Sequence, residues 1–302
     1  MKFTKKYLMC KHCDWLHIAN FEMGRKGRMR EDQFVSLFGL SSTTIHRIHF
    51  VYLMETTLWR PKYILWAFNF MKTYNVRRSA YTSFKDCSEN VFRIKVWMVI
   101  ALLYTDMNEV SIFFILCIFF KIYFKVETNL ENQTHPVIVI DATECVFSRP
   151  KISMLANIVY SGYKKKHTVK YEVAVSEING APLSVMGPVA GPTSDMNIYR
   201  MRVRKILKEK GWLGLADGTY QGDYKYLVVP PRPYYNLTEK EKRFHRRLSK
   251  RRIVVENFFA RIKNFRCLNV RWRHSLLKHK WIFHVLVNCM SIDLEYRPLV
   301  ST

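Results

Sequence analysis

Three acidic residues in the C-terminal half of the chain could do chemistry together. Asp141 closes Pro136-Val-Ile-Val-Ile-Asp141, an apolar β-branched run that predicts a buried strand, and Ala142-Thr143-Glu144 follow it. Asp217 closes Trp212-Leu-Gly-Leu-Ala-Asp217 in the same way, with Gly218-Thr-Tyr-Gln-Gly222 as a turn after it. Glu256 lies within Arg251 to Lys263, where Ile253, Phe259 and Ile262 fall at helical spacing. Two carboxylates at the ends of neighbouring strands and a third on a facing helix can converge on hard, oxygen-seeking cations such as Mg²⁺ or Mn²⁺. Two such ions, about 4 Å apart, clamp the attacking and leaving oxygens of a phosphodiester. Taken singly, a strand-end Asp is a turn former or a helix cap; three in this order point to metal-dependent work on nucleic acid.

The rest of the composition agrees with a polyanionic partner. The chain of 302 residues carries a formal net charge of +25 and has a pI near 9.8. Each phosphate neutralised by such a surface releases counterions and makes binding salt-dependent. Nucleic acid is therefore the leading partner and an anionic membrane surface the second. A hydrophobic share of 49% with 15% aromatics excludes a disordered chain. The seven cysteines, at 10, 13, 87, 117, 145, 267 and 289, follow no regular spacing and read as free thiols in a reducing compartment. Cys10-Lys-His-Cys13 with His17 is half a zinc site, and no second pair lies nearby. Met1-Lys-Phe-Thr-Lys-Lys is followed by no uninterrupted apolar core, so no signal peptide is expected.

The elements that must position the acids fall into an order. Residues 1–33 read as a basic, weakly ordered arm, and residues 34–130 as a helical region of DNA-binding type. Within it, Phe34 to Phe38, Gly39 at a turn and Ser41 or Ser42 as the N-cap of a second helix fit either a helix-turn-helix or two packed helices. Helices over 63–74 and from a cap near Ser88 to Leu103 follow, leaving Asn90, Arg93 and Lys95 for phosphates or bases. Ser111 to Phe124 is apolar but short and interrupted by Lys121, which predicts a buried helix or strand pair rather than a membrane span; its Phe/Ile/Lys/Tyr bias also matches translation of an AT-rich non-coding segment. Thr168 to Val175 alternates as a half-buried strand. Asn179-Gly180 predicts a hairpin returning through Leu183 to Val189, and a helix capped at Ser194 or Asp195 runs to Leu207. Thr238 to Arg252 holds eight Lys/Arg against two Glu, a run placed to contact DNA backbone that also resembles a nuclear-import signal.

Five stretches in register over residues 136–290 resemble the ribonuclease-H-like catalytic core of DDE transposases, specifically the Harbinger-type DDE superfamily endonucleases. They are Val139-Ile-Asp-Ala-Thr-Glu144, Tyr160-Ser-Gly-Tyr-Lys-Lys-Lys-His-Thr-Val-Lys170, Gly191-Pro-Thr-Ser-Asp195, Leu215-Ala-Asp-Gly-Thr-Tyr-Gln-Gly222, and Leu248 to Lys263. The resemblance implies an α/β fold, a mixed sheet flanked by helices in residues 131–302, behind an N-terminal all-α region. It implies that Asp141, Asp217 and Glu256 bind two Mg²⁺ or Mn²⁺, and it matches Asp195 to a further motif acid, read as a cap first and a ligand second. Arg252 and Lys263 stand at the spacing of an Arg-x3-Glu-x6-Lys pattern and would hold phosphate oxygens. Ser249 and Ala142 replace a tyrosine and a glycine usual in such patterns. Lys164, Lys165, Lys166, His167, Arg246, Arg247, Lys250 and Arg251 are the expected DNA contacts. The implied partner is double-stranded DNA, bound by a homo-oligomer in the nucleus, with no membrane role and with room for a separate DNA-binding partner protein. A relative that binds DNA without cutting it is the alternative.

Overall fold

A computed structural model of the chain describes residues 12–25, 27, 29–58, 60–74, 81–84, 87–107, 137–230 and 237–299. The apolar run at 111–124 and the Cys10 ligand of the zinc reading lie outside these residues. Two compact units are present. The first takes in Met1–Glu109, Asn264–Asn269 and Trp281–Arg297; the second, Val110–Lys263, Val270–Lys280 and Pro298–Thr302. Residues 264–269 and 281–297 thus group with the helical unit.

In the helical unit, α1 (His12–Glu22), α2 (Glu31–Phe38), α3 (Ser42–Tyr52), α4 (Pro61–Thr73) and α5 (89–107) come in that order. Within the stretch 1–33 read as a weakly ordered arm, residues 12–22 form α1. Trp15 and Ala19, one helical turn apart, are both buried, and the Trp15 indole N–H donates to His46 Nδ1 at 2.8 Å. Basic flanks hid a short apolar face. The turn between α2 and α3 is as expected: Gly39 ends α2 at φ 85°, and its N–H donates to Val35 O. Ser41 then caps α3, its Oγ accepting from Thr44 N at 3.1 Å. Asp293, fully buried on the C-terminal helix, accepts from Ser41 N at 3.1 Å, Thr44 Oγ1 at 2.9 Å and Arg297 Nε at 3.0 Å. One carboxylate therefore fixes both the cap and its neighbouring cation.

The second unit is built on a mixed six-stranded sheet of β1 (Val137–Val146), β2 (Tyr160–Ser161), β3 (Lys166–Ser176), β4 (Pro182–Ala190), β5 (Leu213–Leu215) and β6 (Leu227–Val228). The order is β2-β3-β1-β5-β6, with β4 paired to β3. β1 runs antiparallel to β3, setting Asp141 opposite Val173 and Ala142 opposite Glu172, and parallel to β5, with Val139 opposite Leu215. The Asn179-Gly180 hairpin forms, Gly180 taking φ 71° and Asn179 Oδ1 accepting from Ala181 N at 3.1 Å. The strand entering it, β3, departs from expectation. Thr168 and Glu172, which alternation places on a solvated face, are 0% exposed, because β3 lies inside the sheet and helices cover it.

The helices of this unit are α6 (Ser153–Ile158), α7 (Asp195–Met201), α8 (Val203–Lys210) and α9 (Glu239–Ile262), of which α7 and α9 contact β3; α10 (Arg266–Asn269) and most of α11 (Leu276–Tyr296) group with the helical unit. The single helix expected from 195 to 207 is two, broken at Arg202 (φ −143°, ψ −60°). Tyr199, Val203 and Leu207 from this pair pack with Ile138, Ile140, Ala174 and Trp212 of the sheet side. α9 joins the basic run and the Glu256 segment into one 24-residue helix, opened by Thr238 and Glu241 in a reciprocal capping box. It packs on β1 and β3 through Val254, Val255, Phe258, Phe259 and Ile262, while Ile253 faces solvent at 51% exposure.

Candidate active site

β5 ends at Leu215, opposite Val139, whereas β1 continues to Val146. The edge of β1 beyond that point is where Asp141 sits, and the chain leaving β5 reaches Asp217 two residues later. Ala142 N donates to Asp141 Oδ1 at 2.8 Å. Burial pushes the Asp141 carboxyl up to about 6; the Ala142 N–H and the Arg252 guanidinium oppose this, and the nearby Asp217 and Asp195 carboxylates reinforce it. Asp217 also does the work of a turn former, Oδ1 accepting from Thr219 N at 2.8 Å.

Asp195 joins the group by a different route from the one its position suggests. Ser194, not Asp195, caps α7. The Asp195 carboxylate instead accepts from Lys170 Nζ at 2.9 Å and from Thr219 Oγ1 at 3.0 Å. Thr219 Oγ1 is also within reach of Asp217 Oδ1, so its one proton serves either carboxylate and links the two. Lys170 Nζ donates further to Thr193 O at 2.9 Å and lies 3.8 Å from Glu144 Oε1.

Two more residues belong here that the sequence did not single out. Tyr220 is fully buried, and burial together with the carboxylates of Glu172, Asp195, Asp141 and Asp217 pushes its hydroxyl well above the usual range. Glu172 is likewise fully buried, with neither carboxylate oxygen hydrogen-bonded. Burial first, then Asp195 and Asp141, push it up to about 8, against a lowering influence of the Tyr220 hydroxyl, which stands nearby but outside hydrogen-bonding geometry. Tyr220 lay in what reads as an ordinary turn and Glu172 on the polar phase of an alternating strand. Only the register Ala142 opposite Glu172 reveals the second.

The cations come from α9. Arg252 is close enough to Asp141 to lower its proton affinity, and its Nε is buried without a hydrogen-bond partner. Lys263, which ends the helix, acts on Cys145 of β1 in the same sense. Glu256 is exposed one turn after Arg252. The structure thus gathers Asp141, Asp195 and Asp217 with Arg252; among the described residues, no group of three or more His, Cys, Asp or Glu is arranged to hold a metal ion. The chemistry of the donor set nevertheless fits one. Every donor is a carboxylate or hydroxyl oxygen, as Mg²⁺ and Mn²⁺ require, and a divalent cation there would favour the ionised forms of Asp141 and Glu172, whose proton affinity burial raises.

Of the expected DNA contacts, Lys164 and Lys165 occupy an exposed turn between β2 and β3, Lys166 and His167 opening β3 behind it. Arg246, Arg247 and Lys250, with Lys240 and Arg243, line a concavity of about 540 Å³ along α9. Arg251 lies outside that set. Its guanidinium is held by both carboxylate oxygens of Glu177, the Nη2 contact at 2.6 Å, which ties α9 to the end of β3. In the helical unit, Arg93 Nη2 donates to Asn90 Oδ1 at 3.0 Å, and Lys95 Nζ stands 5.2 Å from the Tyr63 ring centroid. No helix among the described residues is long and apolar enough to cross a membrane.

Comparison with known proteins places this geometry in context. A probable transposase for insertion sequence element IS702 from Microchaete diplosiphon is 27% identical over 146 residues, 46% of this chain. The chain spans about half the length of that curated relative. No solved structure gives a significant match. The family model described as DDE superfamily endonuclease matches residues 140–290, from the strand bearing Asp141 through the helix bearing Glu256. With half of its length so matched, the chain belongs to the DDE superfamily endonucleases.

Proposed function

We propose that the protein is a DNA transposase or transposase-derived endonuclease of Harbinger type, its second unit a ribonuclease-H-like core that cuts and joins phosphodiesters. The observation that carries this reading is the gathering of Asp141, Asp195 and Asp217 at the open edge of β1 with Arg252 facing them. Asp141, Asp217 and Glu256 would hold the divalent cations, with Asp195 as an auxiliary ligand once Lys170 releases it. Bound there, the cations supply an activated oxygen nucleophile and charge neutralisation at phosphorus. Arg252 and Lys263 offer cationic donors to the non-bridging oxygens as their charge grows. Lys164, Lys165, Lys166, His167, Arg246, Arg247, Lys250 and Arg251 position the DNA backbone, double-stranded element ends and target being the substrate. The helical unit with its capped Gly39 turn adds further duplex contacts, and the basic first half of α9 serves in nuclear import. The working form is a homo-oligomer, open to a separate DNA-binding partner.

Supercoiled plasmid nicking in Mg²⁺ or Mn²⁺ tests this reading, comparing the wild type with Asp141→Ala, Asp217→Ala and Glu256→Ala while gel shifts follow DNA binding. Nicking by the wild type alone, with all four proteins bound to DNA, supports it. A relative that binds DNA without cleaving it is favoured by one observation, that among the described residues no group of three or more His, Cys, Asp or Glu is arranged to hold a metal ion; equal binding and no nicking by all four proteins is its signature.

A further inference from the structure

The β2–β3 hairpin carries an exposed apolar surface that the reading above leaves without a role. Met154, Leu155 and Ile158 on α6 are 73%, 47% and 49% exposed, Tyr160 on β2 is 45% exposed, and Tyr163 at the hairpin tip is 88% exposed. A soluble protein does not usually leave such a group of large side chains in water without a use. The chain around them is cationic: Arg149, Lys151, Lys164, Lys165 and Lys166 lie in the stretch from Cys145 to His167, which contains no Asp or Glu. Lys164 Nζ stands 5.2 Å from the Tyr163 ring centroid, and the Tyr160 ring meets the His167 ring edge-on at 5.5 Å.

Charge selects the occupant. Pairing this patch with its own copy about a two-fold axis would bring five cations against the same five, which like-charge repulsion opposes. A nucleic acid meets both demands, phosphates taking the lysines and unstacked base faces taking the rings and aliphatic groups. We propose that the β2–β3 hairpin is a wedge for distorted DNA, in which Tyr163 stacks on an unpaired or extruded base while Lys164, Lys165 and Lys166 hold the flanking phosphates. This rests on the DNA-processing function proposed above and goes beyond it by assigning a base-stacking residue and a preference for locally opened duplex. The expected preference is about ten-fold, which is about 1.4 kcal/mol and of the size of one base stacked on an aromatic ring.

The test is fluorescence anisotropy on two labelled duplexes of one sequence, fully paired or with a central mismatched bubble, without divalent cations. The wild type is expected to favour the bubble about ten-fold, Tyr163→Ala to lose that preference while binding the paired duplex as before, and Tyr163→Phe to keep it, since the ring rather than the hydroxyl stacks. A 2-aminopurine in the bubble should change its fluorescence with the wild type and Tyr163→Phe and not with Tyr163→Ala. If the wild type binds both duplexes equally, or Tyr163→Ala keeps the preference, the wedge is wrong although the DNA-binding reading stands. If the wild type binds neither duplex, both fall. If Tyr163→Ala alters sedimentation rather than DNA preference, the patch is a protein interface and the wedge is overturned.

Discussion

Replacing Glu172 with Gln should make the metal-free protein more stable at neutral pH and leave it little changed in acid. The wild-type carboxyl is buried with neither oxygen hydrogen-bonded, and it is pushed up to about 8 from an ordinary 4.5. Between those values the folded chain keeps a proton that the unfolded chain has released, so stability falls as pH rises, by about 1.4 kcal/mol per unit. From pH 4.5 to pH 7 that amounts to about 3 kcal/mol, and the loss is complete only above pH 8. Gln cannot ionise, so the variant lacks this slope. Any cost of burying its amide is independent of pH and drops out of the comparison. Urea denaturation of both proteins at pH 5 and pH 8 in the presence of a chelator reads the difference directly. If Glu172→Gln is destabilised by the same amount at both pH values, the carboxylate has a stabilising partner in the fold and the account of this buried acid is wrong. Adding Mg²⁺ should shrink the wild type's slope, because a cation near Asp141 and Asp195 favours the ionised form of Glu172 as well.

Other substitutions test separate parts of the account. Asp293→Ala leaves Arg297 without its carboxylate and removes the group that binds the Ser41 N-cap region; by analogy with broken buried ion pairs it should cost about 3–5 kcal/mol, read as a large fall in the melting temperature of the helical unit. His279 is buried with Nδ1 2.8 Å from Tyr171 Oη, and burial pushes it down to about 3. Below pH 6.5 the unfolded chain binds a proton that the folded chain refuses, so stability falls with acidification, and His279→Gln should flatten that acid limb in melts at pH 5 and pH 7. Arg252→Ala removes a cation that lowers the proton affinity of Asp141; the Asp141 carboxyl should then titrate above its present value of about 6, observable by carboxyl NMR. No upward shift would place Arg252 elsewhere.

Local chemistry was legible where a few neighbouring residues determine the backbone. Gly39 at its turn, Ser41 at its cap and Asn179-Gly180 in its hairpin each do what their side chains dictate. The strand order leading to Asp141 and Asp217 followed from apolar runs. What sequence could not show depends on the neighbours of a face. Thr168, Lys170 and Glu172 alternate as a solvated strand would, yet β3 lies between β1 and β4, and helices cover what alternation left polar. Arg251 belongs to a run of cations and nothing near it in sequence marks Glu177 as its partner. Tyr220 follows the acid it helps to surround by only three positions, but its burial among four carboxylates exists only after β1, β3 and α7 have come together.

The central claim is that the acids at the edge of β1 form a divalent-cation site. Calorimetric titration of the DNA-free protein with Mn²⁺, beside Asp217→Asn and Glu256→Gln, tests it most directly. The account predicts saturable binding by the wild type and an affinity at least about ten-fold weaker in each variant, in line with the cost of losing a ligand or its support. Equal Mn²⁺ affinity in all three proteins, with each folded, would contradict it.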